Sequence, residues 1–444
     1  MEERLVGSTR RVARFVSETR SPDIPEYAYQ HAKVALLDWY GVTIAGKEDP
    51  LVWKLIRLAD LQGGYEQATI LGHGIRKSAC QAALINGAAS HALDYDDTLV
   101  SFLGHPSVTL FPSILALAEW KGRRGLDLLA AYLVGIQVGA AVGACAGLSH
   151  YMAGWHGTST IGHLASAAAC AHLLGLGELQ TIHALGIAAT QACGLKRVFG
   201  TMCKPFHAGR ASQTGLIAAL LAADGFDAPK DTLEGPQGFF EVLKADQNEH
   251  ILDTLGQTWE IENLSQKYHA SCHFTHSPIE AACKVVHGEN ISLGEIRSIR
   301  VKTSQTALSA AHQMNPVTGL AGKFSIPYCV ANAILRGNTG MQAFTDAKVN
   351  DPEIQTLMRK IHAVLDEGQA GLGATVEVET TEDRIHTGSS DILQEVVELG
   401  LKREKIQAKF EDLCLPVMGK HRMEEVRGAI LSLERLKDLN SLFG

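Results

Sequence analysis

From the first residues to about residue 265, apolar positions recur at helical spacing, and the polar breaks between them carry helix start and stop signals. Ser21-Pro22 opens one helical region, and Ala45-Gly46 closes the run that holds Val34, Leu36, Leu37 and Trp39. Pro106 and Pro112 introduce a second region, whose Leu115, Leu117 and Ala118 end at the turn-like Lys121-Gly122-Arg123-Arg124-Gly125. After about residue 290 the period changes to two. Ile299, Val301 and Thr303 alternate with Arg300 and Lys302, and Val376 and Val378 alternate with Glu377 and Glu379, which predicts half-buried strands. A helix around Tyr328 to Leu335 separates them, and helical periodicity returns after Asp391 through Val396, Val397 and Leu399. The order predicts a mainly α chain, with a large all-α helical domain over 1-265 plus about 401-444 and a smaller α+β domain over 266-400.

Leu128 to Leu148 contains no charged residue and is about as long as a bilayer-spanning helix. Its glycines fall at 135, 139, 143 and 147, along one helix face that lets a second helix approach closely. Leu164 to Leu174 and Thr214 to Ala223 are equally rich in alanine and leucine, so the stretch reads as one of several helices buried on all sides. No membrane partner is expected. With 46% hydrophobic and 20% charged residues in 444, the chain has ample material for a large core. A formal net charge of -8 gives no electrostatic reason to expect nucleic acid. The 9 cysteines are dispersed without a C-x-x-C pair, as in reduced cytoplasmic proteins, and Met1-Glu2-Glu3-Arg4 lacks the basic and apolar regions of a secretory signal.

Four polar clusters lie at helix entrances, where unpaired N–H groups and the helix dipole favour anions. The first is His91-Ala92-Leu93-Asp94-Tyr95-Asp96-Asp97-Thr98, followed by Gly104-His105-Pro106. If helical, it places His91, Asp94 and Thr98 on one face. Carboxylates this close must bind a cation, pair with bases or point apart, and their spacing does not match a DDxxD magnesium site. In Trp155-His156-Gly157-Thr158-Ser159, Thr158 or Ser159 can cap the following helix and leave His156 at its positive end, with His163 inside as a core residue. In Cys203-Lys204-Pro205-Phe206-His207, the proline predicts an extended Lys204 at a helix start, an ammonium suited to a carboxylate or phosphate, with Cys203 left to packing. In the fourth, Lys267 to Glu280, Ser277 and Glu280 form a capping box with Pro278 at the first helical position. His269, Cys272, His273 and His276 then occupy the preceding loop. Their spacing fits neither a structural zinc pattern nor a metallohydrolase helix, so no metal is expected.

Taken together, the chain resembles the MmgE/PrpD family, which includes 2-methylcitrate dehydratase, cis-aconitate decarboxylase and iminodisuccinate epimerase. The resemblance runs in order through Asn86 to Thr98, Gly104-His105-Pro106-Ser107, Trp155-His156-Gly157-Thr158, Lys204 to Gly209, Cys272-His273-Phe274-Thr275-His276 and Phe324-Ser325-Ile326-Pro327-Tyr328. It implies that the α+β domain is a lid, that the active site lies in the cleft between domains, and that the protein is a homodimer needing neither cofactor nor metal. It also implies Asp94, His105, His156, Lys204 and His273 as catalytic residues, with Thr98 and Tyr328 binding substrate; His207, three residues after Lys204, is read as a further substrate-binding residue.

All three family activities move a proton at a carbon next to a carboxylate. In this sequence Lys204 and His273 suit the holding of carboxylates and the stabilising of developing negative charge. His105 or His156 suits proton transfer near neutrality, with Asp94 orienting one of them or acting as a base. The reading is a cofactor-free lyase that dehydrates or decarboxylates a small di- or tricarboxylic acid. An epimerase with two opposed bases is the nearest alternative, and a non-catalytic helical binding protein is the alternative outside enzymes.

Overall fold

In the computed structural model, residues 7–369, 371–395 and 398–439 are described. Met1 to Arg4, and Val396 and Val397 of the returning helical pattern, lie outside the described residues. The chain divides into two units, Met1–Gln266 with Ile406–Gly444, and Lys267–Lys405.

The first unit is built from α1 (Ser8–Glu18), α2 (Glu26–Gly46), α3 (Pro50–Gln62), α4 (Ala79–His91), α5 (Ser107–Lys121), α6 (Gly125–Met152), α7 (Gly157–Leu174), α8 (Glu178–Gln191) and α9 (Cys203–Ala223). A two-stranded antiparallel ribbon, β1 (Ala68–Ile70) with β2 (Ile75–Lys77), interrupts them. Alanine and glycine dominate where α4, α7 and α9 meet, and their small side chains set the helix separation. A Cβ at Gly87 would lie 2.8 Å from the Cα of Gly209, and one at Gly209 would overlap the Leu84 carbonyl. This contact fixes α4, which leads into the acidic turn, against α9, which carries Lys204 and His207.

Helix α6 is long and apolar enough to cross a membrane, but its apolar stretch is 94% buried inside the structure. The glycine ladder has the role its spacing predicts. Gly135 faces Leu110 and Ala169, Gly139 faces Phe102, and Gly143 faces the backbone of Ser101 and Phe102, which seats the loop before His105 against α6. At Gly147 the backbone turns to φ 66 and the helix kinks.

The second unit carries a four-stranded sheet in the order β4-β3-β5-β6, formed by β3 (Ile296–Thr303), β4 (Ile361–Leu365), β5 (Ala374–Thr380) and β6 (Ile385–Ser390). Strands β3 and β4 are parallel and the other pairings antiparallel. Ile299 opposes Val378 and Val301 opposes Val376 on the buried face. On the other face Arg300 and Lys302 both pair with Glu377. The helices His276–Gly288 and Ile326–Arg336 pack with each other, the first also against β5 and β6. A last long helix, Leu399–Leu431, carries the chain back into the first unit and is broken at Gly419, three residues after Pro416.

Candidate active site

Helix α4 stops at His91, and the next seven residues form a turn rather than a further helical face, which corrects the expectation that His91, Asp94 and Thr98 align on a helix. Asp94 adopts φ 52, a conformation Asp tolerates better than most residues, and its N–H donates to the His91 carbonyl. Non-local contacts hold the turn in place. Thr98 and Ser265 exchange backbone hydrogen bonds of 2.8 and 2.9 Å. From beneath, the ammonium of Lys409 donates to the Tyr95 carbonyl at 2.7 Å, lies 3.8 Å from the Tyr95 ring centroid, and pairs with the buried Asp38 at 2.6 Å. Asp97 turns inward and accepts from the backbone and hydroxyl of Ser107. Burial first, then the charges of Asp38 and Asp96, push its pKa well above the ordinary carboxyl range.

His105 reaches the same place from the next loop. Its N–H donates to the Thr158 hydroxyl at 3.1 Å, and Gly104 beside it leaves no room for a side chain, since a Cβ there would lie 2.5 Å from the Thr158 nitrogen. The His105 Nδ1 is 2.8 Å from Asp96 Oδ2, and its Nε2 is 3.9 Å from Asp94 Oδ1. Lys204 sits in the first turn of α9 rather than in an extended segment, a correction that Pro205 permits because first-turn N–H groups lack helical partners. Its ammonium is 2.7 Å from Asp94 Oδ1.

His156 is the N-cap residue of α7, so the expected Thr158 or Ser159 cap is not made; no side chain caps the helix at that position. The His156 ring is 3% exposed, stacks on His91 at 6.2 Å and 21°, meets Phe199 edge-on, and has its Nδ1 3.1 Å from Nδ1 of His207. Burial, followed by the charge of Lys204 and the neighbouring imidazoles, drives its pKa well below the ordinary value. Burial does the same more mildly for His207. His163 is a core residue as expected, with Nδ1 2.7 Å from the Ser159 carbonyl and its pKa lowered by burial to about 4.

Asp94, His105, Lys204, His156 and His207 therefore come together in the first unit, with Thr98 on the same turn. Two members, His91 and Asp96, belong to the acidic segment marked in the sequence but were not assigned there as site residues. The Nδ1 of His91 lies 2.9 and 3.0 Å from the two Asp96 oxygens. Only the spacing of five residues across a helix end hinted at it. The His91, Asp94, Asp96 and His105 ligand atoms lie within 4.8 Å of one another, a set of types that can hold a metal ion. The Lys204 ammonium already contacts Asp94, and two imidazole nitrogens already approach the Asp96 carboxylate, so a divalent cation would have to displace a cation and two ring partners.

In the second unit His273 is 7% exposed and its ring meets His276 at 4.7 Å; His276 also meets His269 at 4.8 Å. Burial, then the charges of His273, His269 and Lys267, drives His276 well below its ordinary pKa. The predicted capping box does not form. The Ser277 hydroxyl accepts from the Ile392 N–H, and Glu280 pairs with His269 at 3.3 Å and Lys405 at 3.2 Å, which helps hold its pKa down at about 2. Long-range partners have replaced the local ones. Tyr328 is fully buried, and its hydroxyl donates to the Ala343 carbonyl.

The profile of the MmgE/PrpD N-terminal domain matches residues 10–251, and that of the MmgE/PrpD C-terminal domain matches residues 269–435. The chain is 28% identical to a cis-aconitate decarboxylase of Aspergillus terreus, over 98% of this chain and 95% of the relative. It is 25% identical to the cis-aconitate decarboxylase of Homo sapiens, over 93% of this chain and 89% of the relative. With the mitochondrial 2-methylcitrate dehydratase of Yarrowia lipolytica it shares 26% identity over 76% of this chain and 69% of the relative.

Proposed function

Because the chain belongs to the MmgE/PrpD family, we propose that it is a lyase that removes water or carbon dioxide from a small tricarboxylic acid by moving a proton at the carbon next to a carboxylate. The observation that carries this reading is the contact of the Lys204 ammonium, the Asp94 carboxylate and the His105 imidazole beside two further buried imidazoles, His91 and His156. Loss of either group passes through a species with negative charge spread onto a carboxylate, and a fixed cation in a water-poor site stabilises it.

Lys204 is paired with Asp94. An entering substrate carboxylate competes for that ammonium and releases Asp94 toward the Nε2 of His105. The cluster then holds a base and a hydrogen-bonding carboxylate side by side. His156, kept neutral by its surroundings, is a second group able to take up and return a proton. Thr98 and His207 lie at the edges of the cluster and are proposed to fix the substrate by hydrogen bonds. His273 is assigned a catalytic role on family resemblance alone, and its His273→Asn variant should lose turnover. The chemistry needs only these side chains. A homodimer is proposed on the same resemblance and is tested by light scattering. A cytoplasmic location is proposed from the dispersed cysteines, which include no C-x-x-C pair, and is tested by fractionation.

Incubation in heavy water with cis-aconitate or 2-methylcitrate, followed by NMR, tests the reading. Release of carbon dioxide or of water, with deuterium entering at carbon next to a carboxylate, is the expected result. Inversion of iminodisuccinate with neither substrate cleaved would make the protein an epimerase, and no exchange with any of the three would make it a binding protein.

A further inference from the structure

We propose that Asp96 is a positioning residue that accepts the Nδ1–H of both His91 and His105, so that each ring presents an unprotonated Nε2 and His105 meets the Asp94–Lys204 pair as a ready base. The catalytic consequence rests on the lyase reading above, whereas the protonation pattern does not.

The His91 contact is a formed hydrogen bond, and the His105 Nδ1 stands at ion-pairing distance from the same carboxylate. Asp96 is 1% exposed, with His91 Nδ1 at 2.9 and 3.0 Å and His105 Nδ1 at 2.8 Å from its oxygens. A buried carboxylate with no donor would be strongly disfavoured as an anion. Although burial alone would raise the Asp96 pKa, the two histidines hold it well below the ordinary range, so it stays an acceptor. An ionised carboxylate can only accept, which requires a proton on each facing Nδ1. For neutral rings the lone pair then falls on Nε2. The Nε2 of His91 is buried and has no hydrogen-bond partner among the described residues, as expected for an unprotonated nitrogen with no donor nearby. The Nε2 of His105 faces Asp94.

The charged and titratable groups around the pair are Asp94 on the same turn, Asp97 and Asp38 beneath it, Lys409 from the last long helix, Lys204 and His207 from α9, and His156 at the start of α7. When His105 takes a proton at Nε2, the resulting imidazolium lies against an anion already in place, and Asp96 keeps its charge throughout. The proton returns from the same nitrogen to the leaving hydroxyl or to carbon, so no net charge is left behind.

Selective 15N labelling of histidine in the full protein, with His91 and His105 assigned by His91→Gln and His105→Gln, reads the ring protonation directly above the acidic limb of activity. Both rings as the Nδ1–H form is the expected result, and any other pattern overturns the proposal without reference to turnover. The kinetic arm is Asp96→Asn. Asparagine has one acceptor oxygen and an NH2 donor, so at least one ring must reverse its tautomer. A loss in kcat of about 10³-fold with KM little changed is expected, by analogy with tautomer reversal in other carboxylate-oriented histidines. The acidic limb of kcat/KM should move to lower pH, because a lost carboxylate lowers the basicity of its imidazole. A variant with wild-type kcat and pH profile, or one altered only in melting temperature, would reduce Asp96 to a structural residue and overturn the assignment.

Discussion

Replacing Lys409 by Met removes one half of a buried ion pair and leaves the other half in place. Lys409 and Asp38 side chains are 3% and 1% exposed, their charged atoms are 2.6 Å apart, and the same ammonium holds the Tyr95 carbonyl at 2.7 Å. Uncompensated buried charges of this kind cost about 3–5 kcal/mol. The cost here falls toward the upper end, because Asp38 already sits close enough to Asp97 to raise the pKa of that carboxyl. At about 2–4 °C per kcal/mol for a large domain, Lys409→Met should lower the melting temperature by roughly 10 °C or more. The double variant Asp38→Asn, Lys409→Met removes both charges and should recover about 2 kcal/mol of that loss, since buried pairs replaced as pairs are often nearly neutral. Scanning fluorimetry on the four members of the cycle measures the coupling. The turn that carries Asp94 and Asp96 also loses its support, so kcat should fall in the single variant even well below its melting temperature. A single variant within 2 °C of wild type, or a double variant no more stable than the single one, would refute the argument that this pair supports the turn.

Three further outcomes are expected. Lys204→Met should lower kcat/KM by on the order of 10²–10³-fold while leaving the melting temperature nearly unchanged, because the lost cation acts on charge developing in the substrate. Stability should fall as pH drops from about 6.5 toward 4: His163, lowered by burial to about 4, stays neutral in the fold while the unfolded chain takes up the proton, worth roughly 3 kcal/mol for this residue. His163→Phe, followed by thermal melts across that range, should flatten the dependence. Tyr328→Phe should cost about 1 kcal/mol of stability through the lost bond to Ala343, read by thermal melting, and an accompanying rise in KM would identify it as a substrate contact.

Much of the helical half was legible because its signals are local or periodic. The glycines at 135, 139 and 143 announced close approach and are found facing Leu110, Phe102 and the Ser101 backbone. The alternation at Ile299 to Thr303 gave β3 its buried and paired faces. What escaped was decided by distant partners. Nothing beside Asp94 indicates a positive φ; the turn is held by Ser265 and by Lys409, more than 160 and 310 residues away in sequence. Once α4 ends at His91, a histidine and an aspartate five apart can face each other, which continuous helix would not allow. Ser277 and Glu280 have the residue types of a cap, yet Ile392, His269 and Lys405 compete successfully for them. The candidate residues were visible as types, whereas their pairings required the tertiary fold.

The discontinuity of the first unit bears on how the protein comes into being. Residues 406–439 contribute to that unit, but they emerge from the ribosome only after the whole second unit has been made. Until then Asp38 has no Lys409, and the acidic turn lacks the ammonium that holds the Tyr95 carbonyl. Helices that could otherwise assemble early must wait in a partly formed state with apolar faces uncovered, a natural client for chaperones. Translation slowed between the two segments would lengthen that exposure, and a chain released before residue 409 could complete its sheet and still never close its first unit.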